Sequence, residues 1–380
     1  MRRVWLAFVL ASAAAAAGCG SAPVREPPAP LPEFAPSARA AKIWSGDLGG
    51  KTRDYVGLVP RVRDGIVYAA GAGGRVAAFD AASGARRWQV DLKLPIAGGV
   101  GVGERLLAVG TRDGQVVALA REDGRTLWRS AVSSEVLAPP AIASNIVVVQ
   151  TVDGRVTGLA ADSGERRWVY DRTEPALSLR GTNSPVIVED IVFAGFASGR
   201  LVALSLEQGA PLWEVPVAQP RGRNEIERLV DVDVPPIVLP DAIYAASYQG
   251  KLTAFNPRTG NIIWSRDVST YSGIAADASH VYVTDEHGHV LAFDRRNGAS
   301  VWRQEALRGR RLNAPAVHGG FVAIADYEGY VHWLARDDGR FVARARVDNA
   351  PVRAPAAVAG DTLFVAAISG ELAALRLMPR

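Results

Sequence analysis

The sequence predicts an all-β chain that folds as one eight-bladed β-propeller with four-stranded antiparallel blades, and three observations support this fold class. A block of the form G-x-V-x-A-[LF]-x-x-x-x-G-x-x-x-W recurs along the 380 residues. Successive closing tryptophans lie 38 to 51 residues apart, and a blade takes about 40–45 residues. The composition, with 38 Gly, 23 Pro and only 2 Met, favours short strands and many turns. One ring therefore replaces the two domains that the length alone suggests.

The repeat block occurs eight times, although two copies lack the closing tryptophan. The blocks begin at Gly74, Gly114, Gly154, Gly199, Gly250, Gly288, Gly329 and Gly370. The closing tryptophans are Trp88, Trp128, Trp168, Trp213, Trp264 and Trp302. The seventh block has Ala343 in this position, and the eighth runs out of chain. Trp44 lies in a closing strand with no block before it, so we predict that this strand completes the eighth blade. Because the tryptophans recur in phase with the repeat, we expect them to pack between blades rather than to bind a ligand.

The amino terminus predicts export and lipid anchoring. Residues 1–18 have the pattern of a signal peptide, with two arginines followed by an apolar run too short to span a membrane. The four residues that end at Cys19 resemble a bacterial lipobox, which predicts acylation of this cysteine; a plain secretory signal is the alternative. Residues 19–40 are proline-rich and predict an extended tether. Residues 41–380 form the predicted propeller.

Charge and cysteine content exclude several functions. The chain has 43 basic and 39 acidic residues, a formal net charge of +4, which is too small an excess for a nucleic-acid surface. Its single cysteine excludes an internal disulfide and a cysteine-rich zinc site. His287 and His289 flank a glycine in the hairpin position of the repeat, so we interpret them as part of a turn. We therefore expect no catalytic group, metal or cofactor.

Two connections between blades are longer than the others and mark the candidate binding site. They span residues 171–183 and 216–236, and equivalent connections of a propeller emerge on one face. The first contains Leu177 and Leu179 beside Arg180, and the second contains Asp231 and Asp233. The alternation of leucine with polar residues suits an extended segment that meets a partner. The alternative is that the two connections cover the central opening and pair with each other, Arg180 with Asp231 or Asp233.

Three strings of residues resemble a known family. They are Leu177-Ser178-Leu179-Arg180-Gly181, Glu225-Ile226-Glu227-Arg228-Leu229-Val230-Asp231-Val232-Asp233 and Glu328-Gly329-Tyr330-Val331-His332-Trp333. Together with the lipoprotein start and the eight blocks, they resemble the BamB family, the propeller lipoproteins of the bacterial outer-membrane β-barrel assembly machinery. The similarity extends from about Lys42 to Leu377.

The resemblance implies a non-enzymatic scaffold at the periplasmic side of the outer membrane. Such a scaffold docks on the periplasmic POTRA domains of BamA, associates with other subunits of the complex, and assists outer-membrane protein clients. The BamA-contacting residues of the family fall at Leu177, Leu179, Arg180, Asp231 and Asp233 of this sequence.

Two other classes of protein share the repeat. Quinoprotein dehydrogenases are eight-bladed propellers that bind pyrroloquinoline quinone and calcium, and often contain an adjacent-cysteine disulfide. This chain cannot form that disulfide, and no group of acidic and amide residues lies outside the turns to supply the six to eight oxygen ligands of calcium. A periplasmic propeller scaffold with another partner is the second alternative.

Overall fold

The computed structural model describes residues 27–51, 57–172, 175, 177–178, 183–220 and 223–379. Within these ranges every regular element is a β-strand, and no helix is long and apolar enough to cross a membrane. The predicted signal peptide and Cys19 lie outside the described residues, as do Leu179 and Arg180.

The described strands form eight sheets arranged as the blades of a ring. The first four blades comprise β3 (Arg61–Arg63), β4 (Ile66–Ala70), β5 (Arg75–Asp80), β6 (Arg86–Asp91); β7 (Ile96–Val102), β8 (Leu106–Thr111), β9 (Gln115–Ala120), β10 (Thr126–Ala131); β11 (Ala141–Ala143), β12 (Ile146–Gln150), β13 (Val156–Ala160), β14 (Arg166–Tyr170); and β15 (Val186–Val188), β16 (Ile191–Gly195), β17 (Arg200–Ser205), β18 (Pro211–Pro216).

Blades five to eight repeat the same order, with one strand borrowed from the amino-terminal end of the ring. They comprise β19 (Ile237–Val238), β20 (Ile243–Ala246), β21 (Lys251–Phe255), β22 (Ile262–Asp267); β23 (Gly273–Ala276), β24 (His280–Thr284), β25 (Val290–Asp294), β26 (Ser300–Gln304); β27 (Ala316–His318), β28 (Phe321–Ala325), β29 (Tyr330–Ala335), β30 (Phe341–Arg346); and β31 (Ala357–Ala359), β32 (Thr362–Ala366), β33 (Glu371–Pro379), β1 (Ala38–Asp47). The predicted eight-bladed fold is confirmed.

The ring is closed by pairing of its two ends. Strand β1 runs antiparallel to β33, from Ala38 opposite Pro379 to Asp47 opposite Glu371. Lys42 Nζ lies 2.6 Å from the Glu371 carboxylate and adds a charged contact across the closure. The prediction that an amino-terminal strand completes the eighth blade is confirmed.

The antiparallel order assigns every connection to one of two rims. In each blade the first and second strands are joined at one rim, the second and third at the other, and the third and fourth at the first again. The connection to the next blade then leaves from the rim that carries the hairpin between the second and third strands. We call this the connection rim and the other the opposite rim.

The tryptophans of the fourth strands pack between neighbouring blades, as predicted. Trp128 is 8% exposed, and its Nε1 donates a hydrogen bond of 2.8 Å to the carbonyl oxygen of Ala161, in the turn between β13 and β14 of the next blade. A Cβ atom on Gly164 of that turn would lie 2.6 Å from the indole ring. The same indole-to-carbonyl bond joins Trp44 to Ala81, Trp88 to Arg121, Trp168 to Leu206, Trp264 to Arg295 and Trp302 to Arg336.

Blade seven exchanges the positions of its large and small residues. Trp333 on β29 lies opposite Ala343 on β30, whereas the other closing tryptophans face alanine or glycine on the third strand. Trp333 is 0% exposed, and its Nε1 donates to His318 Nδ1 at 3.0 Å. The third and fourth strands of blade eight come from opposite ends of the chain, so no turn joins them. A tryptophan at position 343 would therefore lack its usual docking turn.

Three local features differ from the sequence interpretation. The first strand of blade three begins at Ala141 rather than at Ala138, because Pro139 and Pro140 cannot donate ladder hydrogen bonds. A short strand, β2 (Gly57–Leu58), pairs in parallel with β7 and adds a fifth strand to blade two. Residues 28–37, which belong to the predicted tether, lie against blade seven and the connection that leads into it. Strand β1 begins three residues before the predicted boundary at residue 41.

Candidate partner-binding surface

The two long connections are neighbours on the connection rim. The first joins β14 to β15, and the second joins β18 to β19. Asn183 Nδ2, at the end of the first, donates a hydrogen bond of 3.3 Å to the carbonyl oxygen of Val232 in the second. A Cβ atom on Gly195 would lie 2.3 Å from Asn183 Nδ2 and 2.5 Å from Val232 Cγ1, so only glycine lets both segments approach this strand. The predicted adjacency of the two connections is confirmed.

The first connection starts from a fixed base. Tyr170 packs edge-on against Phe196, with ring centroids 5.9 Å apart, and the Arg172 guanidinium lies 5.9 Å from the centre of the same ring. Arg172 Nη1 also lies 2.7 Å from the Glu214 carboxylate. Burial acts to lower the pKa of Arg172, but the hydrogen bonds to Glu214 and Tyr170 and the attraction of their charges together outweigh burial and raise the pKa, so the guanidinium stays charged. Beyond this base, Leu177 is 40% exposed.

The second connection carries a capped tight turn. Asn224 Oδ1 accepts a hydrogen bond of 2.9 Å from the Glu227 backbone N–H, and a Glu227 carboxylate oxygen accepts one of 2.7 Å from the Arg223 N–H. This reciprocal arrangement has the logic of a capping box, in which each side chain satisfies a backbone donor of the turn. The turn presents Ile226, whose side chain is 66% exposed.

The acidic stretch of the second connection is largely buried. Val230, Val232 and Val234 are each no more than 2% exposed. The Val232 N–H donates to the carbonyl oxygen of Phe196 at 3.2 Å, and the Tyr248 N–H donates to that of Asp231 at 2.9 Å. The segment is therefore held between the hairpins of blades four and five.

The residues predicted for the site fall into three groups. Leu177 is exposed, as a contact residue must be. Asp231 is 1% exposed and Asp233 is partly buried, so neither presents its side chain to solvent as Leu177 does. Leu179 and Arg180 lie outside the described residues. Sequence reasoning missed Ile226, although an isoleucine between two glutamates in an insertion was a usable signal.

The His287 and His289 pair is a turn, as interpreted. The Asp285 carboxylate lies 2.7 Å from His289 Nδ1 and accepts backbone hydrogen bonds from both histidines. Gly288 between them has a φ of +85°, as this hairpin requires. Among the residues with described positions, no group of three or more His, Cys, Asp or Glu side chains could hold a metal ion.

These features define an eight-bladed propeller whose elaborated parts are two adjoining connections on one rim. A family model described as "Outer membrane protein assembly factor BamB" matches residues 72–304 and 287–377. Curated relatives with that name from Pseudomonas aeruginosa and Alkalilimnicola ehrlichii are 48% and 47% identical over 370 residues, covering 97% of this chain and 97% and 96% of theirs. The chain belongs to the BamB family of outer membrane protein assembly factors.

Solved structures agree with this assignment at the level of the fold. The crystal structure of BamB from Moraxella catarrhalis has a TM-score of 0.81 and 29% identity, covering 89% of this chain and 99% of that chain. A quinohemoprotein alcohol dehydrogenase from Pseudomonas putida has a TM-score of 0.72 but only 14% identity, covering 90% of this chain and 76% of that chain. The second likeness shows a shared propeller fold alone. The curated relatives are named as assembly factors, not as enzymes.

Proposed function

We propose that this chain is a non-enzymatic scaffold subunit of the outer-membrane β-barrel assembly complex that docks through its connection rim on the periplasmic POTRA domains of BamA. In this position it assists the folding and insertion of outer-membrane protein clients. Acylated Cys19 anchors it to the outer membrane, facing the periplasm. Membership of the BamB family and the exported lipoprotein start support this proposal.

One observation gives the main support for the connection rim as the binding surface. Two exposed apolar side chains, Leu177 and Ile226, project from the two connections that contact each other on one rim. Interfaces concentrate their binding energy in a few apolar or aromatic anchors surrounded by polar residues. The resemblance to the BamB family implies that Leu179 and Arg180 also contact BamA. The resemblance also assigns Asp231 and Asp233 to the contact, and both lie in the part of the second connection that packs on the propeller.

The binding test compares alanine variants at exposed apolar positions. Burial of a leucine or isoleucine side chain stabilises a contact by about 1.5–3 kcal/mol, so Leu177→Ala and Ile226→Ala should each weaken binding to purified POTRA domains by roughly tenfold or more. Ile262→Ala is the matched control, because Ile262 is 59% exposed on the outer strand of blade five, away from this rim. Titration calorimetry measures the affinities.

A second set of variants separates contact from support. Arg180→Ala should also weaken binding, since truncation of one partner of a desolvated charge pair costs about 2–5 kcal/mol. Asp231→Asn should lower the melting temperature of the protein, because it alters a side chain that is only 1% exposed. It should leave the affinity of the folded protein for the POTRA domains unchanged. Unchanged affinity for Leu177→Ala, Ile226→Ala and Arg180→Ala, with the propeller folded, would refute the proposed surface.

A further inference from the structure

The amino-terminal segment before β1 is bound along the outer side of blade seven. We call residues 28–37 the docking segment. Near its start, Arg310 Nη1 donates a hydrogen bond of 3.1 Å to the carbonyl oxygen of Ala29. At its end, the Ser37 N–H donates one of 3.0 Å to the carbonyl oxygen of Val342. The two contacts hold one end of the segment on the connection that leads into blade seven and the other end on strand β30 of that blade.

An aromatic side chain fixes the middle of the docking segment. The ring of Phe34 stacks on that of Phe341, with centroids 5.3 Å apart and an interplanar angle of 27°. The Arg344 guanidinium lies 5.0 Å from the centre of the Phe34 ring, within cation–π range. Arg344 Nη2 also donates a hydrogen bond of 2.5 Å to the carbonyl oxygen of Pro32. A proline-rich backbone suits this role because it offers carbonyl oxygens without competing N–H donors.

Blade seven contains a charge arrangement that the segment completes. Arg310 is 2% exposed and pairs with Asp326, at 2.8 Å, and with Glu328. Arg344 donates instead to the ring of buried His332, at 3.3 Å. Burial, and then the charge of Arg310, lower the pKa of Arg344, while the charge of Asp326 opposes them. The carbonyl oxygens and aromatic face of the docking segment supply electron density to both guanidinium groups.

The direction of the segment determines where the chain leaves the propeller. Arg310 lies in the connection between β26 and β27, so Ala29 is at the connection rim. Val342 is the second residue of β30, which starts at the opposite rim, so Ser37 is at that rim. The chain therefore enters the docking segment from the connection rim, the rim of the candidate partner-binding surface.

Docking also shortens the reach of the predicted anchor. Nine residue steps separate Cys19 from residue 28, and nineteen separate it from Ala38. At no more than about 3.3–3.6 Å per residue, these correspond to about 30 Å and about 65 Å of fully extended chain. A docked segment thus halves the distance that the propeller can move from an acylated Cys19.

We propose that blade seven is a binding site for an extended proline-rich segment of this same chain, and that its occupation holds the connection rim towards the membrane. The docking part stands on contacts within the propeller. The orientation part rests on the proposed acylation of Cys19. Two measurements therefore test the two parts separately.

The first measurement tests docking without the anchor. In protein carrying Cys19→Ser, hydrogen exchange reports the Ala29 and Ser37 amides, which donate to main-chain carbonyls of the propeller at 2.9 and 3.0 Å. Phe34→Ala combined with Arg344→Ala should speed exchange at both amides roughly tenfold or more, because the double variant removes the contacts that hold the docking segment on blade seven. Glu33→Ala, at an exposed position of the segment, is the control and should leave exchange unchanged. Unprotected amides in the parent protein would overturn the docking site.

The second measurement tests orientation in acylated protein on phosphatidylethanolamine–phosphatidylglycerol vesicles. A donor dye is placed by His287→Cys on the connection rim or by Arg296→Cys on the opposite rim of the same blade, and energy transfer to headgroup-labelled lipid is recorded. Both side chains are well exposed, 66% and 84%. Transfer should be stronger from position 287, and Phe34→Ala with Arg344→Ala should reduce the difference at least twofold.

The outcomes of the second measurement separate the two proposals. Equal transfer from the two rims, in protein that binds vesicles through Cys19, would overturn the proposed orientation. Protein that binds vesicles equally with Cys19→Ser would instead refute the acyl anchor. In that case the exchange experiment still decides the docking site on blade seven.

Discussion

At the scale of single residues, a glycine in the turn between the third and fourth strands lets the tryptophan of the preceding blade reach that turn. Gly124 has a φ of +75°, and a Cβ atom there would lie 2.6 Å from the Trp88 ring. Gly65 has nearly the same φ, +72°, with nothing within 4 Å of its Cβ position. The two glycines therefore separate the cost of backbone strain from the cost of a displaced tryptophan.

Alanine substitution at these two glycines should give unequal losses of stability. Each variant places a side chain in the left-handed region, which costs about 1–2 kcal/mol. Gly124→Ala also forces the indole ring of Trp88 aside, and such overpacking adds about 1–3 kcal/mol. Denaturant unfolding should show the larger loss for Gly124→Ala. Equal losses for Gly124→Ala and Gly65→Ala would contradict the docking role of the tryptophan.

The buried histidine of blade seven should make the propeller sensitive to mild acid. His332 is 0% exposed, and burial lowers its pKa. The charges of Arg344 and Arg310 act in the same direction, while the bond to Asp326 opposes them. As the pH falls below about 6.5, the ordinary pKa of histidine, His332 becomes protonated in the unfolded chain but stays neutral in the folded protein. The contribution to stability is thus present above that pH and is lost as pH falls towards the folded pKa.

A glutamine at this position tests the effect. His332→Gln should lower stability at neutral pH, because it disturbs the contacts with Asp326 and Arg344, but it should flatten the fall in unfolding free energy below about pH 6.5. His287→Gln removes a histidine whose side chain is 66% exposed, so the fall should persist in this control. Denaturant titrations at pH 7.5 and pH 5 measure both slopes. An unchanged slope in His332→Gln would exclude His332 as the source.

At the scale of the blade, the exchanged pair Trp333 and Ala343 shows how closure changes one element. Trp333→Ala should destabilise the protein by about 3–5 kcal/mol, the usual cost of emptying a buried tryptophan site. Adding Ala343→Trp restores the residue order of the other blades, yet it should recover little stability, because blade eight has no turn between its third and fourth strands. Full recovery in the double variant, measured by thermal unfolding, would contradict this explanation.

The strand pattern was predictable where the repeat is regular and failed where other contacts override it. Gly154 and Trp168 fixed both ends of the repeat block in blade three, but two prolines delayed its first strand to Ala141. Strand β2 contains only two residues and pairs with β7, which is not its neighbour in the sequence, so the periodicity of the sequence could not predict it. The proline content predicted an extended tether. The segment instead binds blade seven, because Phe34 stacks on Phe341, a residue far away in the sequence.

The candidate site was predictable in position and less so in composition. Connection length alone placed both insertions on one rim, since topology fixes where connections emerge. Exposure could not be predicted in the same way, because Asp231 is buried by hairpins of two different blades. The exposure of Ile226 could have been predicted from the sequence, because both of its neighbours are glutamates.

At the scale of the whole molecule, closure joins residues that are separated by more than three hundred positions. Nine residue pairs connect β1 to β33, and without β1 the edge of β33 would be open to pairing with another chain. Trp44 adds its own docking contact to Ala81 in blade one. The closing strand therefore links the last blade to the first in two ways, by its ladder and by its side chain.

Two truncations should separate closure from docking. A chain that begins at residue 38 keeps the closing ladder and should remain a monomer that unfolds in one transition, although it lacks the docking segment. A chain that begins at residue 48 loses β1 and Trp44, and should associate through the open edge and unfold at a lower temperature. Size-exclusion chromatography and calorimetry measure both properties. If the shorter chain stayed monomeric and equally stable, the ring would not depend on its amino-terminal strand, and the repeat blocks alone would hold it shut.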